Sequence, residues 1–313
     1  MKKISLIVPI YNEQENISLL FEKVEKVISQ IDNFQWEYIF VNDGSKDTSL
    51  SELRTIAKSD SRVIVLDFSR NFGKEIALTA GLNRCSGDAA IFLDADLQHP
   101  PELIPDFLKK WEDGAEVVSS IRMATEKKSF IKDFGSKVFY YLINKLGDAN
   151  LTPNATDFKL IDRKVINELM KFTERNRMFR GLIDWCGFKT EYIEFIAPER
   201  IHGEASYSVG KLVRLAINSF TSFSLLPLKI TGYLGIFVTS ISFILLLVMM
   251  IFDFLIRDGM FSSIAFVIVT NTLILGIVLI GLGLIALYIA QIHEEVINRP
   301  LYIIREEITR DGQ

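Results

Sequence analysis

Two aspartates two residues apart, Asp94 and Asp96, close the apolar run Ala89-Ala-Ile-Phe-Leu93. A short unbroken apolar run reads as a strand buried on both faces of a parallel sheet. Residues two apart on extended backbone point the same way, so both carboxylates leave one side of the strand's carboxyl end. That end is where open α/β sheets hold their ligands. Two acids there repel each other unless a cation lies between them. With the carbonyl of Gln98 close by, an all-oxygen site for Mg²⁺ or Mn²⁺ is the natural candidate, and such an ion would hold phosphates. On these residues alone, a solvated Asp-rich turn is an equal alternative.

Other polar residues fall after apolar runs in the same manner. Asp43 follows Tyr38–Val41 and could accept hydrogen bonds from a base or a ribose, although beside Gly44 a plain turn role is the commoner one. Arg70-Asn-Phe-Gly-Lys74 has basic ends that suit a phosphate, as do many surface loops. Arg122 lies beyond a strand expected at 115–119. Asp157 is the one acid in the strand-like piece Thr156-Asp-Phe-Lys-Leu160. Arg175, Arg177 and Arg180 surround Met178 and Phe179, which makes either a solvated loop or a face for an anion.

The elements that must position these residues alternate. Ile4–Ile10 reads as a first strand: the leading Met1-Lys-Lys resembles a signal peptide, but Tyr11-Asn-Glu13 interrupts a run already too short. Ile17, Leu20, Phe21, Val24, Val27, Ile28 and Ile31 have helical spacing, with Asn12 and Glu15 in a capping-box pattern. Strands at 38–41 and 63–68 follow, with a helix between them that Ser45 would cap, then a helix over 74–84 and the strand that carries the Asp pair. Strand–helix alternation predicts a parallel sheet with helices on both faces, an architecture suited to nucleotides. A helix over 130–146, with Phe134, Val138, Tyr141 and Leu142 on one stripe, reads as packing.

The 313 residues suffice for about two domains. Hydrophobic residues are 49% and mean hydropathy is +0.24, with the excess concentrated after Leu225. A net charge of −4 argues against a general nucleic-acid binder. Cys85 and Cys186 share no paired spacing, so a disulfide framework or a thiolate metal site is not expected, and a reduced compartment is.

Val209, Leu212, Val213, Ala216, Phe220 and Phe223 lie at helical spacing with Lys211 and Arg214 around the wheel, a basic amphipathic helix expected in a membrane interface. Residues 230–252 carry no charge over about 35 Å at roughly 1.5 Å per residue, enough for a hydrocarbon core of about 30 Å. A second uncharged run covers 259–292, most apolar at 265–289. Asp253, Arg257 and Asp258 between the two belong outside the bilayer, where burying each would cost about 2.5–3.5 kcal/mol. A helical hairpin results. Arg200, Lys211, Arg214 and Lys229 before it, against Arg257 alone in the turn, orient the large domain and the C-terminal tail toward the cytoplasm.

Val8-Pro-Ile-Tyr-Asn-Glu13, Val41-Asn-Asp-Gly-Ser45, Arg70-Asn-Phe-Gly73, Asp94-Ala-Asp-Leu-Gln98 and Thr156-Asp157 run in an order that resembles glycosyltransferase family 2, in its polyprenyl-phosphate branch. That branch includes dolichol-phosphate mannose synthase and bacterial undecaprenyl-phosphate glucosyltransferases that modify O-antigen. The resemblance implies a GT-A catalytic domain, Rossmann-like with a mostly parallel sheet, over 1–205. It is followed by a juxtamembrane helix at 206–226, a transmembrane hairpin at 227–292 and a cytoplasmic tail at 293–313. It implies a nucleoside pocket of Pro9, Tyr11, Glu13 and Asp43. Asp94, Asp96 and Gln98 would hold Mg²⁺ or Mn²⁺ and the diphosphate, and Arg122 would stand near the donor and acceptor phosphates. Arg200 belongs to a loop of the form Arg-x-x-Gly-x-Ser-Lys. Here it reads Arg200-Ile-His-Gly-Glu-Ala-Ser-Tyr207, without the Lys, and Lys211 is the candidate substitute.

Asp157 is the family's usual candidate base, with a positioning role equally open. The implied reaction is inverting transfer of a hexose, preferably from UDP-glucose, to undecaprenyl phosphate in the bacterial inner membrane. The expected setting is a homo-oligomer serving cell-envelope lipopolysaccharide. GDP-mannose-dependent transfer and a non-catalytic nucleotide-sugar sensor are the alternatives. A translocase subunit is disfavoured, because two spans without an ionisable residue leave little room for a pathway. A processive polysaccharide synthase is disfavoured by the missing Gln-x-x-Arg-Trp-type motif.

Overall fold

The computed structural model describes residues 1–123, 155–175, 177–196, 263–297 and 299–310. Chain contacts divide the molecule into two units. The larger holds the N-terminal region, 149–208 and the C-terminal residues from Arg299; the smaller holds 145–148 and Val209–Asn298.

The larger unit is built on an eight-stranded sheet. Its strands are β1 (Lys2–Ile10), β2 (Phe34–Asn42), β3 (Val63–Phe68), β4 (Ala89–Phe92), β5 (Val117–Arg122), β6 (Ala155–Asp162), β7 (Thr190–Phe195) and β8 (Ile304–Ile308), in the spatial order β7-β5-β6-β4-β1-β2-β3-β8. β1 through β4 pair in parallel, while β6 runs antiparallel to both β4 and β5, and β8 antiparallel to β3. The sheet is therefore mixed and mostly parallel, as expected, with β6 and β8 as the reversed strands that alternation does not foretell. Burial on both faces explains the unbroken apolar strands: Leu6 and Ile7 are neighbours on opposite faces and both fully buried.

On one face Ile4, Leu6, Val8 and Ile10 share a core with α1 (Ile17–Ile28), α2 (Ser49–Ser59) and α4 (Ile104–Glu112). On the other, α3 (Lys74–Arg84) lies against β1, and Gly81 permits that closeness because a Cβ there would sit 2.3 Å from the Ile7 side chain. Two short helices, α5 (Arg163–Leu169) and α6 (Phe179–Trp185), complete the described part of this unit.

Both expected caps are corrected. α1 begins after Asn16, without a side-chain cap. Asn12 instead takes a left-handed φ of 56° and accepts from the Lys46 amide at 2.8 Å. Ser45 accepts from the Asn12 amide at 3.0 Å, and α2 starts only at Ser49. Short polar side chains here tie the β1–α1 loop to the β2–α2 loop, a tertiary use that outcompetes the local one.

In the smaller unit, α7 (Ser263–Ile297) runs for 35 residues and carries no charged residue from Ser263 to Ile292. The residues described along it do not by themselves make a stretch long and apolar enough to cross a membrane, and no other described helix does, so the expected hairpin is not shown. The first expected span at 230–252, the interfacial helix at 206–226, the helix at 130–146, Arg200 and Lys211 lie outside the described residues.

Candidate functional site

Topology gathers the polar residues at one sheet edge. The carboxyl ends of β1 to β5 and the amino end of antiparallel β6 lie there together, because β6 reverses direction between β4 and β5. Tyr11 and Glu13 follow β1, Asp43 follows β2, Arg70–Lys74 follows β3, Asp94–Gln98 follows β4, Arg122 ends β5, and Asp157 stands near the start of β6. Pro9 lies inside β1, opposite Val41. Arg122 is thus the last residue of a strand set at 117–122, three residues later than the end expected from sequence.

Asp43 is 3% exposed. Its Oδ1 accepts from the Phe72 amide at 2.6 Å and its Oδ2 from the Gly73 amide at 2.9 Å, while Asn71 Nδ2 donates to its carbonyl at 3.2 Å. Burial pushes the Asp43 carboxyl up, against the opposing pull of those two amides and of Arg70. The two loops touch so closely that Gly44, at φ 64°, has no room for a Cβ: one would lie 2.5 Å from the Arg70 backbone. Glu13 faces its own turn and accepts from Asn16 Nδ2 at 2.6 Å. Tyr11 is 44% exposed at the rim.

In the Asp94–Gln98 turn, Leu97 is buried with a left-handed φ of 60°, a conformation that costs a residue with a Cβ about 1–2 kcal/mol. Asp96 Oδ1 accepts from the Gln98 amide at 3.2 Å, and Gln98 Oε1 accepts from Arg122 Nη2 at 2.9 Å. Arg122 Nε is buried without a hydrogen-bond partner among the described residues. His99, 5% exposed, accepts from the Asp94 amide through Nδ1 at 3.2 Å and stacks on Phe158. Burial lowers the proton affinity of His99, which matches its acceptor role.

Sequence reasoning missed the centre of this site. Lys74 Nζ lies 2.6 Å from Asp94 Oδ1 and 2.8 Å from Asp157 Oδ2, and Arg180 Nη2 lies 2.9 Å from Asp157 Oδ1. Folding thus sets the chain's own ammonium beside Asp94, where the sequence pointed only to a metal ion. Burial would raise the Asp157 carboxyl, but Lys74 and Arg180 outweigh it and hold it far below the usual carboxylate range. Lys74 is held protonated in turn: burial lowers its proton affinity, and the two carboxylates more than reverse that. The signal was present in the basic ends of the 70–74 and 175–180 segments, but nothing in their spacing names Asp157 as the common partner.

Glu75, next to Lys74, accepts from the Phe179 amide at 2.9 Å and so ties α3 to the start of α6. Burial first, and then the charge of Asp157, raises its carboxyl to about 7. An acid whose native pKa exceeds its unfolded one makes the protein lose stability as pH climbs between the two. Wild-type protein is expected to lose stability from about pH 4.5 to about pH 7, while Glu75→Gln, which retains an acceptor for Phe179, is not. Melting temperatures measured across that window check this. Parallel curves for the two proteins would overturn it.

Asp94 and Asp96 fit a hard divalent cation. No group of three or more His, Cys, Asp or Glu side chains that could hold a metal occurs among the described residues, and Gln98 Oε1 is engaged by Arg122. A two-carboxylate set suits Mg²⁺ or Mn²⁺, which commonly complete their shells with water and substrate phosphates.

Known proteins resemble this chain over most of its length. The profile described as glycosyl transferase family 2 matches residues 5–170. The SfII prophage-derived bactoprenol glucosyl transferase of Shigella flexneri is 39% identical over 304 residues, covering 97% of this chain and 98% of its own. An uncharacterized glycosyltransferase of Bacillus subtilis, YkcC, is 39% identical over 302 residues, covering 96% and 93%. The prophage bactoprenol glucosyl transferase homolog of Escherichia coli K12 is 38% identical over 303 residues, covering 97% and 98%.

Proposed function

This chain belongs to glycosyl transferase family 2 and is a glycosyltransferase with a GT-A fold, and on that premise we propose that it transfers glucose from UDP-glucose to undecaprenyl phosphate with inversion at the anomeric carbon. The observation that carries the proposal is the meeting of Asp43, Asp94, Asp96, Arg122 and Asp157 on one sheet edge. The names of the relatives support the choice of lipid and sugar.

Each residue then takes one task. Asp43, with Pro9, Tyr11 and Glu13, contacts the nucleoside. Asp94 and Asp96 would hold Mg²⁺ or Mn²⁺, which would supply positive charge against the donor's diphosphate. Arg122 donates to Gln98 and meets a phosphate, and by the family resemblance Arg200 and Lys211 serve the phosphates as well. An acceptor phosphate oxygen attacks the anomeric carbon and the nucleoside diphosphate leaves. That nucleophile already carries about −1.5 to −2 charge near neutral pH, so no strong base is needed. Asp157, pinned as a carboxylate by Lys74 and Arg180, accepts a proton poorly. Its fitting role is to fix those two cations where phosphate charge develops.

The test is transfer itself. Purified protein in detergent, with Mg²⁺ or Mn²⁺, undecaprenyl phosphate and a panel of labelled UDP- and GDP-sugars, is expected to move label into the organic phase. UDP-glucose should be the preferred donor, and a chelator should abolish transfer. Preference for GDP-mannose would replace the donor assignment, and nucleotide binding without any transfer would favour a sensor.

The proposal places the enzyme in the bacterial inner membrane as a homo-oligomer, with its catalytic domain and both termini cytoplasmic. Ile264, Val267, Val278, Leu282 and Ile289 of α7 are at least half exposed, and apolar side chains so placed favour lipid. The uncharged part of α7 spans about 45 Å at 1.5 Å per residue, more than the hydrocarbon core of about 30 Å. β8, which follows α7, joins the catalytic sheet. A membrane-crossing α7 therefore needs a second crossing before it, and 230–252 can supply that. Alkaline phosphatase fused in the 253–258 turn is expected to be active, and the same fusion at the C-terminus inactive. An inactive fusion at the turn would overturn the hairpin. Light scattering in detergent checks the homo-oligomer, and a monomer mass would remove it.

A further inference from the structure

The strand that completes the sheet comes from the far end of the chain. Six residues, 298–303, separate α7 from β8, and β8 pairs with β3 just where β3 runs into the Arg70–Lys74 loop. The pairing is irregular there, with a shift between Asp67 and Phe68. Past that shift the Ser69 amide donates to the Ile303 carbonyl at 3.0 Å. Arg305 Nη2 donates to the Ser69 carbonyl at 2.8 Å, and its Nη1 lies 3.5 Å from Asp67 Oδ2. Asp67 is 1% exposed, and its other oxygen accepts from Asn42 Nδ2 at 2.7 Å. Asn42 immediately precedes Asp43.

A second route runs through rings. Tyr302 stacks on Phe68 with centroids 5.2 Å apart, and Phe68 meets Phe72 edge-on at 5.5 Å. The Tyr302 hydroxyl accepts from Asn83 Nδ2 at 2.8 Å, which ties the stack to α3. The Phe72 amide is one of the two that donate to the Asp43 carboxylate. Both routes thus end at Asp43 or on the loop that holds it.

We propose that Tyr302 and Arg305 are positioning residues for donor binding: the C-terminal strand holds the loop 69–73 against Asp43 from behind, and with it the shape of the nucleoside pocket. This rests on the assignment of Asp43 to that pocket under the proposed function. The Asp67 carboxylate gives Arg305 a particular part, since its charge is buried and the strand supplies its counter-ion. Contacts farther along β8 serve another purpose. Glu306 pairs with Arg54 on α2 and Glu307 with Arg84 on α3, both partly solvent-exposed and made to helices, not to the loop.

The test uses the full chain in detergent and four variants: Tyr302→Ala, Tyr302→Phe, Arg305→Ala and Glu307→Ala. Amide hydrogen exchange over 69–74 and UDP affinity by calorimetry are read for each. Tyr302→Ala and Arg305→Ala are expected to speed exchange of the Phe72 and Gly73 amides and to weaken UDP binding about tenfold, the effect of losing one good polar contact. The donor KM should rise with them, while kcat at saturating donor and the acceptor KM stay near wild type. Tyr302→Phe, which keeps the stack, and Glu307→Ala, which loosens only the distal end, should bind UDP as wild type does. Unchanged loop exchange in both Tyr302→Ala and Arg305→Ala, or equal losses in Glu307→Ala, would overturn the proposal. Faster exchange with unchanged UDP affinity would instead overturn the assignment of Asp43 on which it rests. If Tyr302→Ala does not fold, Arg305→Ala with Glu307→Ala still decides.

Discussion

Asp157→Asn is expected to lower turnover by about 10²–10³-fold, the range seen when one preorganised charge is removed from a polar transition state. The side chain is isosteric, so the loss is one of charge. Lys74 and Arg180 would face a neutral amide in place of the carboxylate they share at 2.8 and 2.9 Å. Their relaxation toward Asp94 or solvent would spoil the placement of two cations at once. The pH dependence distinguishes this from loss of a general base. Asp157 is held far below the usual carboxylate range, so in wild type it contributes no limb above about pH 5. A limb at pH 6–7 has two sources other than Asp157, the acceptor phosphate, whose second ionisation falls near 6, and Glu75, raised to about 7, so it should persist in Asp157→Asn. kcat/KM measured from pH 5 to 9 for both proteins checks this. A wild-type limb that vanishes in the variant would make Asp157 the base after all.

The second large effect is expected from Lys74→Met, which keeps the aliphatic stem and deletes the ammonium. Turnover should fall about 10²-fold, comparable to losing one electrostatic contact to the developing charge. Two further changes have fixed signs. Asp157 loses the first of the two cations that depress it, so its native pKa rises toward the ordinary value and an acid limb enters the profile, with activity lost as pH falls through it. Asp94, freed from the ammonium at 2.6 Å, becomes a better ligand for a divalent cation. Mn²⁺ binding to nucleotide-free Lys74→Met, followed by electron paramagnetic resonance, should therefore tighten relative to wild type, while Lys74→Arg should restore the wild-type profile in part. A wild-type pH profile and unchanged Mn²⁺ affinity in Lys74→Met would show that the ammonium does not govern either carboxylate.

Much of the scaffold is legible in short stretches of the chain. The apolar runs at 63–68 and 89–93 and the helix at 74–84 could be read locally, because burial on both sheet faces and helical periodicity leave marks within a few residues. The Asp94/Asp96 pair was legible for the same reason, since a spacing of two fixes the side of a strand. The order of the motifs supplied the family.

What tertiary structure alone decided are the long-range pairings. Asn12 and Ser45 look like helix caps, yet each finds its partner about 33 residues away across two loops. The reversal of β6 cannot be read from its composition, but it is what brings Asp157 to the edge that carries Asp94. Lys74, Arg180 and Asp157 lie in three separate segments, and a charge triad held by folding has no spacing to betray it. β8 is the extreme case. A five-residue strand, Ile304–Ile308, is too short and too charged to announce itself, and only the open edge of β3 gives it a place. Local patterns encode which side chains are buried; which charges meet is fixed only when the sheet has chosen its order.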